Sequence, residues 1–338
     1  MTIRERSEAL EKKILSPRAC LSSKTKGRQV WEEPCDMRTD FQRDRDRIIH
    51  SKAFRRLKHK TQVFISPEGD HYRTRLTHTL EVSQIARTMA RALQLNEDLV
   101  EAIALGHDLG HTPFGHSGEK VLNDLHPQGF RHNDHSLRVV DLLESSSKRQ
   151  GLNLTYEVRE GIKKHTGPDL PQTYEGQLIR YADRFAYINH DIDDAVRAQV
   201  LRLEDLPKDL VEILGVGHSQ RINSMIRSLV KSSLDQGKIT MDQEVGGATQ
   251  RLRAFMFETV YFNPKAKSEE EKISHILREL YHYYKKHIDK IPNHLVGVYG
   301  DGDYTDDDLI VDYIAGMSDK FALHVWQKIF VPKFWALD

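Results

Sequence analysis

The sequence predicts an all-α fold, with short β pieces at most, and three observations carry that reading. Apolar residues recur at helical spacing along most of the chain, as they do when each helix buries one stripe. The segments are closed by capping residues and by Gly or Pro, not by the two-residue turns that join strands. There is no strand-turn-strand series and no repeat of fixed period. A chain of 338 residues can bury a large core in one domain or two. Lys plus Arg and Asp plus Glu each number 50, so net charge gives no global pull toward nucleic acid or membrane. Cys20 and Cys35 are too few for a disulfide framework, which points to a reducing, cytoplasmic setting. No window approaches the ~18 continuous apolar residues of a membrane span, and the N-terminus lacks an apolar core of signal-peptide length.

Taken in order, residues 4–15 read as a short helix and the Lys-rich 22–28 as a mobile segment. The stretch 43–60, RDRDRIIHSKAFRRLKHK, places Ile48, Ile49, Phe54 and Leu57 on one buried stripe of a helix. Its arginines read either as a solvated face or as a surface turned to phosphate, since guanidinium forks match phosphate oxygens. Residues 61–65 are β-prone and 67–69 make a turn, which leaves room for one small hairpin within 61–73. The span 75–93 predicts a long amphipathic helix using Leu76, Leu80, Ile85, Met89 and Leu93. Asn96 caps an apolar helix over 99–105. Helices at 117–125, 132–144 and 158–165 follow, and then a long one at 177–196. Beyond about residue 200 the pattern gives helices at 222–234, 252–261, 269–287 and 307–330, and the chemistry thins out. The last is spaced to pack through Ile310, Ile314, Met317, Phe321 and Val325. The organisation expected is a helical arm with the basic segment (1–60), a core (61–198), and a C-terminal helical region packing on it (199–338).

The stretch 106–119, GHDLGHTPFGHSGE, concentrates the chemistry. His107 and Asp108 are adjacent and approach one ion from the same backbone corner, with His111, His116 and Glu119 close behind. Burying so many ionisable groups is expensive unless they bind something. The Gly and Pro after Asp108 break regular structure, so His116 is expected past a turn. On the helix 177–196, Asp183, Tyr187 and Asp191 fall at i, i+4 and i+8, hence on one side. Its other faces are too apolar for simple exposure, so this line is expected to look into a cavity. His78, His107, Asp108 and Asp183 together supply two imidazoles and two carboxylates from three helices, enough to hold a divalent ion with coordination positions left open. His165, in KKHTG, reads as a helix-ending C-cap residue and is left outside the site.

The ordered motifs RLTH, GHDLGHTPFGHSGE and ADRFAYINHDIDD, with RDRDRIIHSKAFRRL upstream and VDYIAGMSD downstream, resemble the histidine–aspartate (HD) domain family of metal-dependent phosphohydrolases. Within it the chain resembles the deoxynucleoside-triphosphate triphosphohydrolases, and most narrowly the bacterial deoxyguanosinetriphosphate triphosphohydrolase-like group, over most of 36–325. The resemblance implies an HD helical fold with added N- and C-terminal helices. It implies hydrolysis of a dNTP to a 2′-deoxynucleoside and tripolyphosphate by attack at the α-phosphorus. By position, His78, His107, Asp108 and Asp183 match the ligands of one divalent metal ion (Mn, Mg, Fe, Zn, Ni or Co). His116 matches the catalytic histidine, Glu119 the carboxylate that orients it, and His132 a further active-site histidine. Arg75, Arg184 and His111 match phosphate contacts, and Tyr187, Asp191 and Gln62 sugar contacts, the tyrosine ring leaving no room for a 2′-hydroxyl. A dNTP effector, single-stranded DNA and a dimer-based homo-oligomer (tetramer or hexamer) are partners the resemblance allows. Two other readings stand beside it: an HD phosphohydrolase acting on another nucleotide, and a regulatory module that responds to nucleotide or single-stranded DNA, with 43–60 as its groove.

Overall fold

A computed structural model gives the fold, and it describes residues 1–62, 73–146, 149–261, 264–300 and 304–333, with only the backbone of 261 and 264–268. Capping decides where many helices begin. Thr2, Thr39, Asn96, Thr173, Asp242 and Ser318 each accept a backbone hydrogen bond from the first turn that follows. In chain order the α-helices are α1 (Ile3–Ile14), α2 (Asp40–Ile49), α3 (Lys52–Arg56), α4 (Arg75–Ala92), α5 (Glu97–Gly106), α6 (Gly115–Leu125), α7 (His132–Arg138) and α8 (Tyr156–Lys163). There follow α9 (Tyr174–Arg197), α10 (Lys208–Leu214), α11 (His218–Gln236), α12 (Gln243–Met256), α13 (Pro264–Lys286), α14 (Asn293–Tyr299), α15 (Asp306–Ala315) and α16 (Asp319–Phe330). The all-α expectation holds. Among the described residues β structure is limited to isolated bridges, one of them Thr61 with Thr74. The rest of the hairpin expected within 61–73 lies outside the described residues.

Apolar side chains gather in two cores. The first surrounds α5, with Leu99, Ile103 and Leu105 packed by α2, α4, α8 and α9 and extended by α10 to α12. It draws residues from all three stretches of the chain. The second is built by α6, α13, α15 and α16 around Leu122, Leu277, Leu280, Ile310 and Ile314. Each fully buried Leu or Ile contributes about 1.5–3 kcal/mol of transfer free energy.

Local chemistry changes several sequence-derived boundaries. The helix expected over 43–60 breaks because Ser51 accepts from the Phe54 amide and starts α3 afresh. Ile49 then lies at the surface, 37% exposed, and α2 buries Phe41, Asp44 and Ile48 instead. Leu80 is 50% exposed, because α4 turns Val82, Ile85, Ala86 and Met89 to the core. The helix expected over 307–330 divides at Gly316, where Ser318 caps α16, and Phe321 consequently faces outward at 46% exposure. Helices α10 and α14 were not anticipated; both are short, seven residues each or about two turns, and each follows a proline.

Candidate active site

The motif 106–119 spans the gap between the two cores. Apolar α5 ends at Gly106 and delivers His107 and Asp108. His111 through Phe114 then turn the chain, and α6 starts at Gly115, so His116 lies past a turn, as the glycine and proline spacing predicts. Close packing makes the turn possible. A Cβ on Gly110 would lie 2.1 Å from the Ser136 amide nitrogen, so only glycine lets the start of α7 approach. Phe114 and Gly115 both have left-handed backbone, at φ 61° and 59°. Ser136 fixes the turn from α7, its hydroxyl donating to His107 O (2.8 Å) and accepting from Gly110 N (2.9 Å). The C-terminal core fixes it from the other side. Asp319 accepts from Phe114 N at 2.9 Å and from Thr61 N at 2.8 Å. Buried Lys60 donates to the backbone carbonyls of His111 and of Ala315.

Three helices bring the expected metal ligands together. His78 comes from α4, the His107–Asp108 pair from the end of α5, and Asp183 from α9. His78 Nε2 lies 3.1 Å from Asp183 Oδ1. His107 Nε2 lies 3.7 Å from Asp108 Oδ1 and 3.9 Å from Asp183 Oδ1. The ligand atoms of His78, His107 and Asp108 all fall within 4.8 Å of one another. His107 Nδ1 donates to Ala104 O at 2.6 Å, which leaves Nε2 as a bare lone pair. That nitrogen is fully buried and has no hydrogen-bond partner among the described residues. A buried imidazole lone pair facing two carboxylates fits a divalent cation. Burial would raise both carboxyls, but the histidines around Asp108 and the Arg75 guanidinium bonded to it, the one permanent cation among them, hold Asp108 well below its ordinary value. The hydrogen bond with His78 brings Asp183 down to about 2. Both are therefore ionised and ready to bind.

Beside them, Glu119 joins two imidazoles. Its Oε2 takes His116 Nδ1 at 2.9 Å and its Oε1 takes His132 Nδ1 at 2.8 Å. Burial opposes its ionisation, yet these bonds keep the carboxyl far below its ordinary range. His132 is raised in turn, since the Glu119 contact outweighs burial. His111 stacks on His132 at 4.4 Å. Burial and the Arg75 charge keep His111 neutral.

These groups open on a cavity of about 930 Å³ between the cores. Gln62, Arg75, His111, Arg184, Tyr187 and Asp191 line it, together with His78, Asp108, His116, His132 and Asp183; His107 and Glu119 stand behind the wall. The line Asp183, Tyr187, Asp191 therefore looks into a cavity, as its spacing suggested. Arg75 Nη1 donates to Asp108 Oδ2 at 2.6 Å, while its Nε and Nη2 have no partner among the described residues. Gln62 Oε1 is likewise buried without one. Burial, with Asp194 and Asp183 nearby, pushes the Asp191 carboxyl well above its ordinary value.

Sequence reasoning missed two parts of the site. His165 does cap the end of α8, its Nδ1 donating to Ile162 O at 2.7 Å, but it also belongs to the site: it is buried, lines the cavity, and places Nε2 3.2 Å from His132 Nε2. Its signal was the KKHTG stop itself, read for its backbone role alone. The C-terminal region also carries chemistry. Arg253 of α12 lines the cavity and donates to the Tyr187 hydroxyl at 2.5 Å, with its guanidinium over the Phe257 ring. Nothing in the local sequence marks Arg253, because its partner is 66 residues away.

The arginines of 43–60 are mostly answered within the fold. Arg43 and Arg47 pair with Glu32, and Arg45 with Asp46. A separate cleft of about 440 Å³ runs along this segment, and there Lys52, Arg55 and Arg149 face it with no carboxylate within 4.0 Å among the described residues.

Comparison with known proteins agrees with this geometry. The profile described as "HD domain" matches residues 75–188, and that described as "Phosphohydrolase-associated domain" matches 239–328. A Caldanaerobacter subterraneus subsp. tengcongensis protein named deoxyguanosinetriphosphate triphosphohydrolase-like protein is 58% identical over 99% of this chain and 98% of its own length. Proteins of the same name from Desulfatibacillum aliphaticivorans and Clostridium tetani are 50% and 47% identical, each over 98% of this chain and 99% and 97% of their own lengths. No helix among the described residues is long and apolar enough to cross a membrane. The chain belongs to the HD-domain phosphohydrolases, in the family of deoxyguanosinetriphosphate triphosphohydrolase-like proteins.

Proposed function

We propose that this protein hydrolyses deoxynucleoside triphosphates to 2′-deoxynucleoside and tripolyphosphate, with a divalent metal ion at His78, His107, Asp108 and Asp183. One observation carries the reading: the Glu119-bridged histidines line a single cavity whose wall also presents Arg75 and Arg184, and the His107 lone pair, without a partner among the described residues, lies directly behind Asp108 of that wall. A divalent ion held there would supply Lewis-acid stabilisation of the charge that develops on the phosphoryl group. His116 is 75% exposed to the cavity mouth, and its Nε2 is free to meet the O5′ leaving group while Glu119 holds Nδ1. Glu119 sets the tautomer and stabilises the imidazolium that forms. Arg75, two of whose nitrogens have no partner among the described residues, and Arg184 bind the phosphate chain. His111 and His132 border the same phosphates. Tyr187 is held by Arg253, so its ring stands as a fixed wall under the sugar, and Asp191 and Gln62 receive the 3′-hydroxyl.

Mn, Mg, Fe, Zn, Ni and Co all suit two imidazoles and two carboxylates. The setting proposed is the cytoplasm and the assembly a dimer-based homo-oligomer. A dNTP effector or single-stranded DNA would find its cationic footing in the cleft of Lys52, Arg55 and Arg149. The test is to incubate the metal-loaded protein with each dNTP, with and without a second dNTP, and to resolve products by phosphorus NMR. Tripolyphosphate with free deoxynucleoside supports the reading; orthophosphate or pyrophosphate, or no turnover with any dNTP and any of these metals, sinks it.

A further inference from the structure

We propose that Asp319, at the start of α16, is a positioning residue: from outside the cavity lining it aims His116 and Gln62 at substrate. Its carboxylate joins two passages of the chain. Oδ1 accepts from Phe114 N at 2.9 Å, two residues before His116. Oδ2 accepts from Thr61 N at 2.8 Å and from the Thr61 hydroxyl, one residue before Gln62.

The need for such a contact lies at the start of α6. That helix carries His116 and Glu119, and two consecutive left-handed residues set its direction, Phe114 at φ 61° and Gly115 at φ 59°. Glycine takes this conformation freely and phenylalanine does not. Phe114 holds the N-cap position, and its side chain gives no hydrogen bond to the first turn. Local sequence therefore leaves the conformation unsupported, and a residue of this kind persists where the surrounding structure imposes it. Asp319 imposes it from 205 positions away. The turn is also tightly placed. A Cβ on Gly115 would lie 3.3 Å from Arg75 Nη2 and from Gln62 O, so the same pair carries the chain past two residues of the cavity wall.

Asp319 does not act alone. It ends VDYIAGMSD (311–319), a motif the proposed reaction does not use, and this motif reaches the turn at two further points. Asp312 Oδ1 lies 3.0 Å from His135 Nε2, and His135 Nδ1 donates to Gly110 O at 2.8 Å. Ala315 O accepts from Lys60 Nζ at 2.8 Å, and Lys60 also donates to His111 O. One corner of the second core thus grips positions 110, 111 and 114. His107 is held separately, through Ala104 O and the Ser136 hydroxyl. Loss of Asp319 should therefore disturb His116 and spare the residues proposed as metal ligands.

The step that Asp319 serves rests on the proposed reading; the positioning itself does not, and the test separates the two. Asp319→Ala is compared with the unaltered protein by hydrogen-exchange mass spectrometry. Peptides covering 111–117 should exchange about 10- to 100-fold faster, the loss expected of a hydrogen bond to a charged group, while α5 peptides and bound Mn²⁺ stay unchanged. At saturating dNTP, kcat per folded molecule should fall about 100-fold, as for a small misplacement of a reacting group. Phe114→Gly in the Asp319→Ala background should return at least about tenfold of that loss, since glycine holds left-handed backbone unaided; a merely structural Asp319 gives no such return. Should Asp319→Ala fail to fold, Asp319→Asn carries the same readouts, because it keeps the side-chain volume and turns an NH₂ toward one of the two backbone N–H groups. Unchanged exchange over 111–117, or a fall in kcat that Phe114→Gly does not relieve, overturns the proposal. Faster exchange in a protein that turns over no dNTP keeps the positioning and sinks the activity; turnover with unchanged exchange does the reverse.

Discussion

The two places where positive or metal-binding side chains crowd together follow opposite rules. Along α2 and the segment before it the arginines are numerous, but the fold answers them: Arg28, ahead of the helix, pairs with Asp40 and Asp44 on it, and Arg43 and Arg47 of α2 pair with Glu32. Between the two cores, fewer groups are present and several have no hydrogen-bond partner among the described residues, among them His107 Nε2, two nitrogens of Arg75 and Gln62 Oε1. An unsatisfied buried polar atom costs about 1–3 kcal/mol, which a fold tolerates where a ligand meets the need. The contrast teaches that a site is marked by partners withheld, not by charge accumulated.

Variants can break or sharpen this contrast. His107→Ala removes the orphaned lone pair and should cut metal-dependent turnover at least about a thousandfold, the equivalent of about 4 kcal/mol, with metal content falling in parallel by elemental analysis. Glu119→Gln should lower kcat by about 10²- to 10⁴-fold, read from pH–rate profiles. The same variant has a stability signature. The Glu119 carboxyl is depressed on folding, so its contribution is full above its ordinary 4.5 and is lost as pH falls through the folded value. His132 is raised, so its contribution is full below its ordinary 6.5 and is lost as pH rises through the folded value. The loss of stability in Glu119→Gln should therefore be greatest between those two ordinary values, measured by denaturant unfolding across pH; an equal loss at every pH would refute the pairing.

On the answered side the expectation reverses. Arg28→Met leaves Asp44, fully buried, without its cation, and should cost about 3–5 kcal/mol of stability while turnover per folded molecule is unchanged. A thermal melt paired with an active-site titration checks it. Tyr187→Ala opens the proposed sugar wall and should narrow the preference for deoxyribo- over ribonucleotides by about 10- to 200-fold, from kcat/KM for matched pairs. The smallest effect belongs to Arg55→Ala, which removes a surface cation with no carboxylate within 4.0 Å among the described residues and one exposed hydrogen bond, to the His50 carbonyl at 3.0 Å, and should move stability by no more than about 0.5 kcal/mol. A larger loss in a denaturant melt would mean that this bond holds the α2–α3 corner.

Much of this site was legible because the residues proposed as ligands come from short motifs. The His107–Asp108 pair is fixed by adjacency, and Asp183, Tyr187 and Asp191 share a face by helical period, so both survived the passage to three dimensions. His165 was lost because its role depends on His132, 33 residues away, and its local context also suits a helix stop. Arg253 was lost for the same reason. Fold boundaries failed where a single cap outweighed periodicity, as at Ser51 and Ser318.

By itself the sequence determined the all-α class, the order of the helices around the motif 106–119, and the residue types able to bind a cation, because these follow from local periodicity and from adjacency along the chain. Only the tertiary structure decided which nitrogens are left without partners, that the arginines of α2 are largely neutralised, and that α12 and His165 complete the cavity. Those facts are sums over groups far apart in sequence, and only packing brings them within hydrogen-bonding distance.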